Sequence, residues 1–200
     1  MLVYLAVLFT IGVSSPNFRF VELFVTFCGL GRSRLCPGTL ASVATFPLWF
    51  LILSLVEYFG LRRPILIISI AIGGLFFLAL RAVDIYVKQN NRDDDPREVV
   101  IDEVVGQLIG FFLSLFLVSI VGKLGLDLLQ REYKYILFTF SFITPVILFR
   151  IYDIWKPGIV GKIDAGMKSA LGIMLDDVVA GLFAGLTNLA LFKIIWTYLP

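Results

Sequence analysis

VVIDEVVGQLIGFF, residues 99–112, and GIMLDDVVAGLFAGL, residues 172–186, decide how this chain is read. Each is an apolar run interrupted by one adjacent pair of acids, Asp102-Glu103 in the first and Asp176-Asp177 in the second. Aligned on the acids, both read apolar, Asp, acid, Val, Val, small, with a second small residue four positions on. Ionised groups at membrane depth are costly and rare, and they mark functional sites. Two such pairs in register point to one shared site, most simply for a divalent cation.

The rest of the chain supplies the membrane. Of 200 residues, 59% are hydrophobic, and the mean hydropathy is +0.95. Soluble domains average about 45–50% apolar residues, so this composition implies an integral membrane protein, with residues 1–200 forming a single domain. Apolar stretches at 39–60, 64–81, 99–121, 133–152 and 172–198 suit membrane helices, for which about 17–25 residues suffice. The predicted fold is therefore an all-α, polytopic bundle of about five spans. Residues 1–13 are apolar but short for a span and lack the basic flank of a cleaved signal. They read as a short interfacial helix.

Five spans put the motif loops at 29–42, 82–98 and 150–177 on one face. That face carries Arg32, Arg34, Arg81, Lys88, Arg92, Arg97, Arg150, Lys156, Lys162 and Lys168. The opposite face carries Arg62, Arg63, Lys123, Arg131, Lys134 and Lys193. Basic residues favour the cytoplasm, which makes the richer face cytoplasmic. Both acidic segments start there and run the same way. Asp102, Gly106 and Gly110 share a helix face by their spacing, as do Asp176, Ala180 and Ala184. Small residues let membrane helices approach closely, which would bring both acid pairs to one depth.

What is missing narrows the chemistry. The chain has no histidine, so an imidazole base, a phosphohistidine and a His metal ligand are excluded. A metal here must be held by oxygen, which favours Mg²⁺ or Mn²⁺ over zinc. A net charge of +2 gives no nucleic-acid footprint. Cys28 and Cys36, the only cysteines, do not make a disulfide framework.

Several residues can join the acids. Carboxylates also stabilise helix starts, but a cap does not require two adjacent acids in an apolar run. Asp153 follows Arg150 in FRIYDIWKPG, where an ion pair one turn apart is the plainer reading; Pro157 then stops the helix. In GLGRSRLCPGTLAS, residues 29–42, Gly29, Gly31 and Gly38 let backbone amides approach an anion while Arg32 and Arg34 add charge. Thr39 or Ser42 is placed to cap the following helix, whose N-terminus favours phosphate. Lys156, Lys162 and Lys168 suit either a phosphate or anionic lipid. In the run 92–95, Asp95 lies nearest the acidic helix and is a further candidate ligand. Cys28 to Arg34 has the cysteine-phosphatase spacing of Cys, Gly and Arg, yet the preceding run is apolar, no His flanks Cys28, and Leu35 replaces the usual hydroxyl. A divalent-cation transporter could also carry paired membrane acids.

Three blocks together resemble the phosphatidylglycerophosphatase A family: GLGRSRLCPGTLAS, then DPREVVIDEVVGQ, then FRIYDIWKPGIVGKID followed by GIMLDDVVAG. The resemblance implies a small Mg²⁺-dependent enzyme of the bacterial inner membrane that removes the terminal phosphate of phosphatidylglycerophosphate, leaving phosphatidylglycerol. Carried over by position, it implicates Asp95, Asp102, Glu103, Arg150, Asp153, Lys156, Asp164, Asp176 and Asp177, with Gly29, Gly31, Pro37, Gly38 and Thr39 in the first loop. On that reading Asp102, Glu103, Asp176 and Asp177 hold the metal, Asp153 assists, and water or a carboxylate attacks. Arg150 and Lys156, with Arg32 or Arg34, balance the phosphate oxygens. The chain departs from the family at Arg34, where Pro is usual, at Ala41, where Gly is usual, and at Ser169-Ala170, where a Gly pair is usual.

Overall fold

The computed structural model describes residues 15–90, 96–123 and 131–198. The predicted interfacial helix at 1–13 and the candidate ligand Asp95 lie outside them. Every regular element among the described residues is helical. Helix α1 spans Ser15–Val25, α2 Pro37–Tyr58, α3 Pro64–Gln89 and α4 Ile101–Lys123. Helix α5 covers Arg131–Phe138 and continues through a π turn, Thr139–Ile143, into α6, Thr144–Trp155. Helix α7 is Ile159–Gly166 and α8 is Ala170–Thr197.

Local chemistry sets most of these boundaries. Pro37 and Pro64 open α2 and α3, positions where the missing N–H costs nothing and φ is already helical. The expected cap by Thr39 or Ser42 is not made: Cys36 is the N-cap residue, without a side-chain bond, and Ser42 donates to the Gly38 carbonyl at 2.9 Å. Proline at the first turn leaves fewer orphan amides for a side chain to satisfy. Pro145 sits just past the π turn; it has no N–H to give the preceding turn, and a widened turn accommodates it. Ser169 caps α8, accepting from the Gly172 amide at 3.3 Å.

Among the described residues, four helical segments are long and apolar enough to cross a membrane: α2, α3, the run Tyr135–Trp155 and α8. Helix α4 occupies the remaining predicted span, and its side chains are described as far as Leu117. Helix α3 runs to Gln89, well into the predicted 82–98 loop. It continues because Ala82, Val83 and Tyr86 stay buried, while Asp84 pairs with Arg81 and Lys88 along the exposed side. Helix α7 likewise lies inside the predicted 150–177 loop.

The molecule is apolar on both sides of its helices. Trp49, Phe111 and Phe149 are fully buried, with Phe46 and Phe142 packed against Phe111. Ile70, Phe77, Leu186 and Ile194 are exposed, the distribution a lipid-facing bundle requires. Helices α4 and α8 form its centre and run parallel. Gly106 meets Gly181, Leu113 meets Gly185, and Asn188 Nδ2 donates to Ser114 Oγ at 3.0 Å. The same Asn188 amide donates to the Phe140 carbonyl in the π turn at 2.7 Å.

Candidate metal and phosphate site

Parallel packing of α4 and α8 brings their acids together at one end. Asp102 and Glu103 stand in the first turn of α4, and Asp177 lies in the second turn of α8. One oxygen from each falls within 4.8 Å of the others. Asp102 and Asp177 are almost completely buried. Three converging, deeply placed oxygens and no imidazole are the donor set of a hard divalent cation.

Helix α6 arrives from the opposite direction and supplies the next layer. Arg150 forms an ion pair with Asp153 one turn on, and its Nη1 lies 3.9 Å from Glu103 Oε1. The Asp153 carboxyl lies against that of Asp177. The ion pair read as the plainer alternative is therefore present, but it is built into the carboxylate cluster. Tyr152 and Thr187 share a hydroxyl hydrogen bond of 2.8 Å that fixes α6 against α8. Four carboxyls thus face a single guanidinium. An uncompensated buried charge costs about 3–5 kcal/mol, so the cluster calls for a bound cation or shared protons.

Asp176 belongs elsewhere. Its Oδ2 accepts from Lys156 Nζ at 2.7 Å, and the same ammonium pairs with Asp164 at the end of α7. Burial works against the Lys156 charge, but these two carboxylates outweigh it and push the pKa up; the lysine is a firm cation. Lys156 can reach both because it takes a left-handed conformation, φ 45°, directly after α6. Of the acids assigned to a metal from sequence, Asp102, Glu103 and Asp177 converge, while Asp176 pairs with Lys156.

The glycine-rich loop divides between two places. Gly38, at the start of α2, lies so close to Glu103 and Arg150 that a Cβ there would collide with both. Thr39 follows it, half-buried. Gly29 and Gly31 belong to the other end of the loop. Gly29 adopts φ +89° and donates its amide to Thr26 Oγ1 at 3.1 Å, and Gly31 packs on the Glu98 carbonyl. Arg32 pairs with Glu22, and Arg34 is exposed on the same loop. Cys28 is an exposed thiol in a turn between α1 and the short 3₁₀ turn Leu30–Arg32, without the strand-to-helix turn that a cysteine-phosphatase loop needs.

Sequence reasoning passed over Gln107. It is fully buried one turn below Glu103, and its amide has no hydrogen-bond partner among the described residues. Its signal was available: it is the sole polar residue between Glu103 and Ser114.

Residues 23–192 match the family model of phosphatidylglycerophosphatase A. The chain is 28% identical to phosphatidylglycerophosphatase A of Escherichia coli over 156 residues, 78% of this chain and 74% of that protein. It is 30% identical over 171 residues, 84% of this chain and 91% of the relative, to a Bacteroides thetaiotaomicron protein described as a putative phosphatidylinositol-3-phosphatase. No solved structure matches it. Buried carboxylates beside fixed cations at the end of a membrane bundle, and a family match across most of the chain, lead to one conclusion: this chain belongs to the phosphatidylglycerophosphatase A family and is a lipid phosphatase.

Proposed function

We propose that the enzyme hydrolyses the terminal phosphate monoester of phosphatidylglycerophosphate in a Mg²⁺-dependent reaction, giving phosphatidylglycerol. The observation that carries the reading is the convergence of Asp102, Glu103 and Asp177 oxygens within 4.8 Å beside Arg150, with Lys156 held on the adjacent Asp176. These three carboxylates would hold Mg²⁺, which when bound supplies Lewis acidity to a phosphate and lowers the pKa of a water.

The remaining groups have their own tasks. Arg150, braced by Asp153 and near Glu103, presents a guanidinium to the non-bridging phosphate oxygens, where charge builds in the transition state. Lys156, kept protonated, adds a second cation. Water attacks phosphorus and its proton passes to a carboxylate of the cluster; the bond to the glycerol oxygen breaks, and that oxygen takes a proton as inorganic phosphate leaves. The tight packing around Gly38 keeps the carboxylate and guanidinium at a fixed spacing. The protein resides in the bacterial inner membrane with five spans, and the site faces the cytoplasm, where the richer set of basic residues lies. Acids gathered at one end of the bundle suit surface chemistry better than cation transport.

Phosphate release in detergent micelles tests this. Release from phosphatidylglycerophosphate should require Mg²⁺, stop with EDTA, and fall about 100-fold or more in Asp177→Asn. Full activity in that variant, well folded and without Mg²⁺, would falsify the metal site. The relative described as acting on phosphatidylinositol 3-phosphate motivates a second reading, with that lipid as substrate. The same assay on both lipids decides between them by kcat/KM.

A further inference from the structure

A polar cavity opens against residues 31–34 of the glycine-rich loop. Its volume is about 460 Å³, and its lining includes Arg32, Arg34, Arg97, Glu98 and Tyr86. Three guanidiniums border it against two carboxylates. Glu22 is engaged by Arg32, and Glu98 accepts from the Tyr86 hydroxyl at 3.2 Å. Arg97 reaches across to donate to the Arg34 carbonyl at 3.3 Å, and Arg34 makes no ion pair among the described residues. Backbone contacts join the walls: Gly31 lies on the Glu98 carbonyl, and the Val100 amide donates to the Val25 carbonyl at 2.9 Å.

The cavity is tied to the carboxylate cluster through the chain. Glu98 precedes Asp102 by four residues, and four residues span at most about 14 Å. We propose that this cavity is a second anion subsite, which takes the phosphodiester of the lipid while the terminal monoester lies at the carboxylates, with Arg34 and Arg97 as its cations. This deepens and rests on the phosphatase reading above. It also gives one chemistry to both lipids considered there, because each carries a phosphodiester next to the glycerol backbone and a monoester on the polyol beyond it. A diester is a single-charged anion that a forked guanidinium recognises well. The site therefore reads the distance between two phosphates rather than the identity of the polyol.

The test compares lipids with and without the diester. Phosphatidic acid has only the monoester, and phosphatidylglycerol only the diester. In Arg97→Gln and Arg34→Gln, both at exposed positions, the preference in kcat/KM for phosphatidylglycerophosphate over phosphatidic acid should fall about tenfold, through KM rather than kcat, with Arg97→Lys restoring part of it. Binding of short-chain phosphatidylglycerol to the detergent-solubilised protein should weaken about tenfold in parallel. An unchanged preference ratio, or phosphatidylglycerol binding equal to wild type, overturns the subsite. Absence of phosphate release from every lipid instead overturns the phosphatase reading for these substrates, and the phosphatidylglycerol binding measurement still decides the subsite.

Discussion

Gly38 shows how much a single atom matters in this site. Its α-carbon stands where a methyl group would strike both the Glu103 carboxylate and the Arg150 guanidinium. Gly38→Ala should leave the helices intact, because alanine is the better helix former, yet displace the two groups proposed above to meet phosphate and metal. A misplacement near 1 Å can cost on the order of 100-fold in rate. Activity should fall by about that factor while circular dichroism and melting temperature stay near wild type; equal activity in the alanine variant would remove Gly38 from the site. The neighbouring acids carry a related lesson. Asp176 and Asp177 are identical in sequence terms, but successive helical residues point about 100° apart. Asp177 therefore faces α4 and Asp176 faces Lys156. Nothing in the pair itself says which does which. The choice depends on a left-handed turn at Lys156 that only the packed structure reveals.

At the level of elements, the crossing of α4 and α8 controls the spacing of the acids. Gly181→Ala would push a Cβ into the Gly106 backbone, forcing the pair apart. Overpacking of this kind costs about 1–3 kcal/mol. The variant should melt several degrees lower and lose activity together with stability, whereas Leu186→Ala on the lipid face should change activity little; a Gly181→Ala enzyme as active and stable as wild type would show that the crossing does not set the site. The parallel arrangement was legible in the sequence because both acid pairs interrupt apolar runs at equivalent depth, and small residues recur four apart. The exact partner was not, since Gly181 and Ala180 are both small and only side-to-side rotation of α8 decides that Gly181 meets Gly106. The π turn at Thr139–Ile143 was equally hidden, because Asn188 stabilises it from another helix. The glycine-rich loop read as one phosphate cradle, yet Gly31 borders a cavity with Arg97 and Glu98 while Gly38 packs against Glu103 and Arg150, a division imposed by residues 96–100 coming from elsewhere in the chain.

For the whole molecule, composition alone sufficed to announce a membrane bundle, and among the described residues four of the five predicted stretches fall in helical segments long and apolar enough to cross a membrane. Orientation is a property of the assembled charge pattern and is tested as such. In a background with Cys28 and Cys36 replaced by serine, Lys168→Cys should react with a membrane-impermeant maleimide only after cells are lysed. Arg63→Cys should react in intact cells. The reverse pattern would turn the site outward and remove the cytoplasmic assignment.

The meeting of Gly106 and Gly181 has one more consequence. The two strands of chemistry in this enzyme are set apart by main-chain atoms, which every residue possesses, and not by the shapes of particular side chains. The lipid-facing surface can then exchange one hydrocarbon group for another without disturbing the gap, provided those two positions stay bare. Most other positions of the two helices can then change their hydrocarbon groups while the gap that sets Asp102 and Glu103 against Asp177 stays the same width.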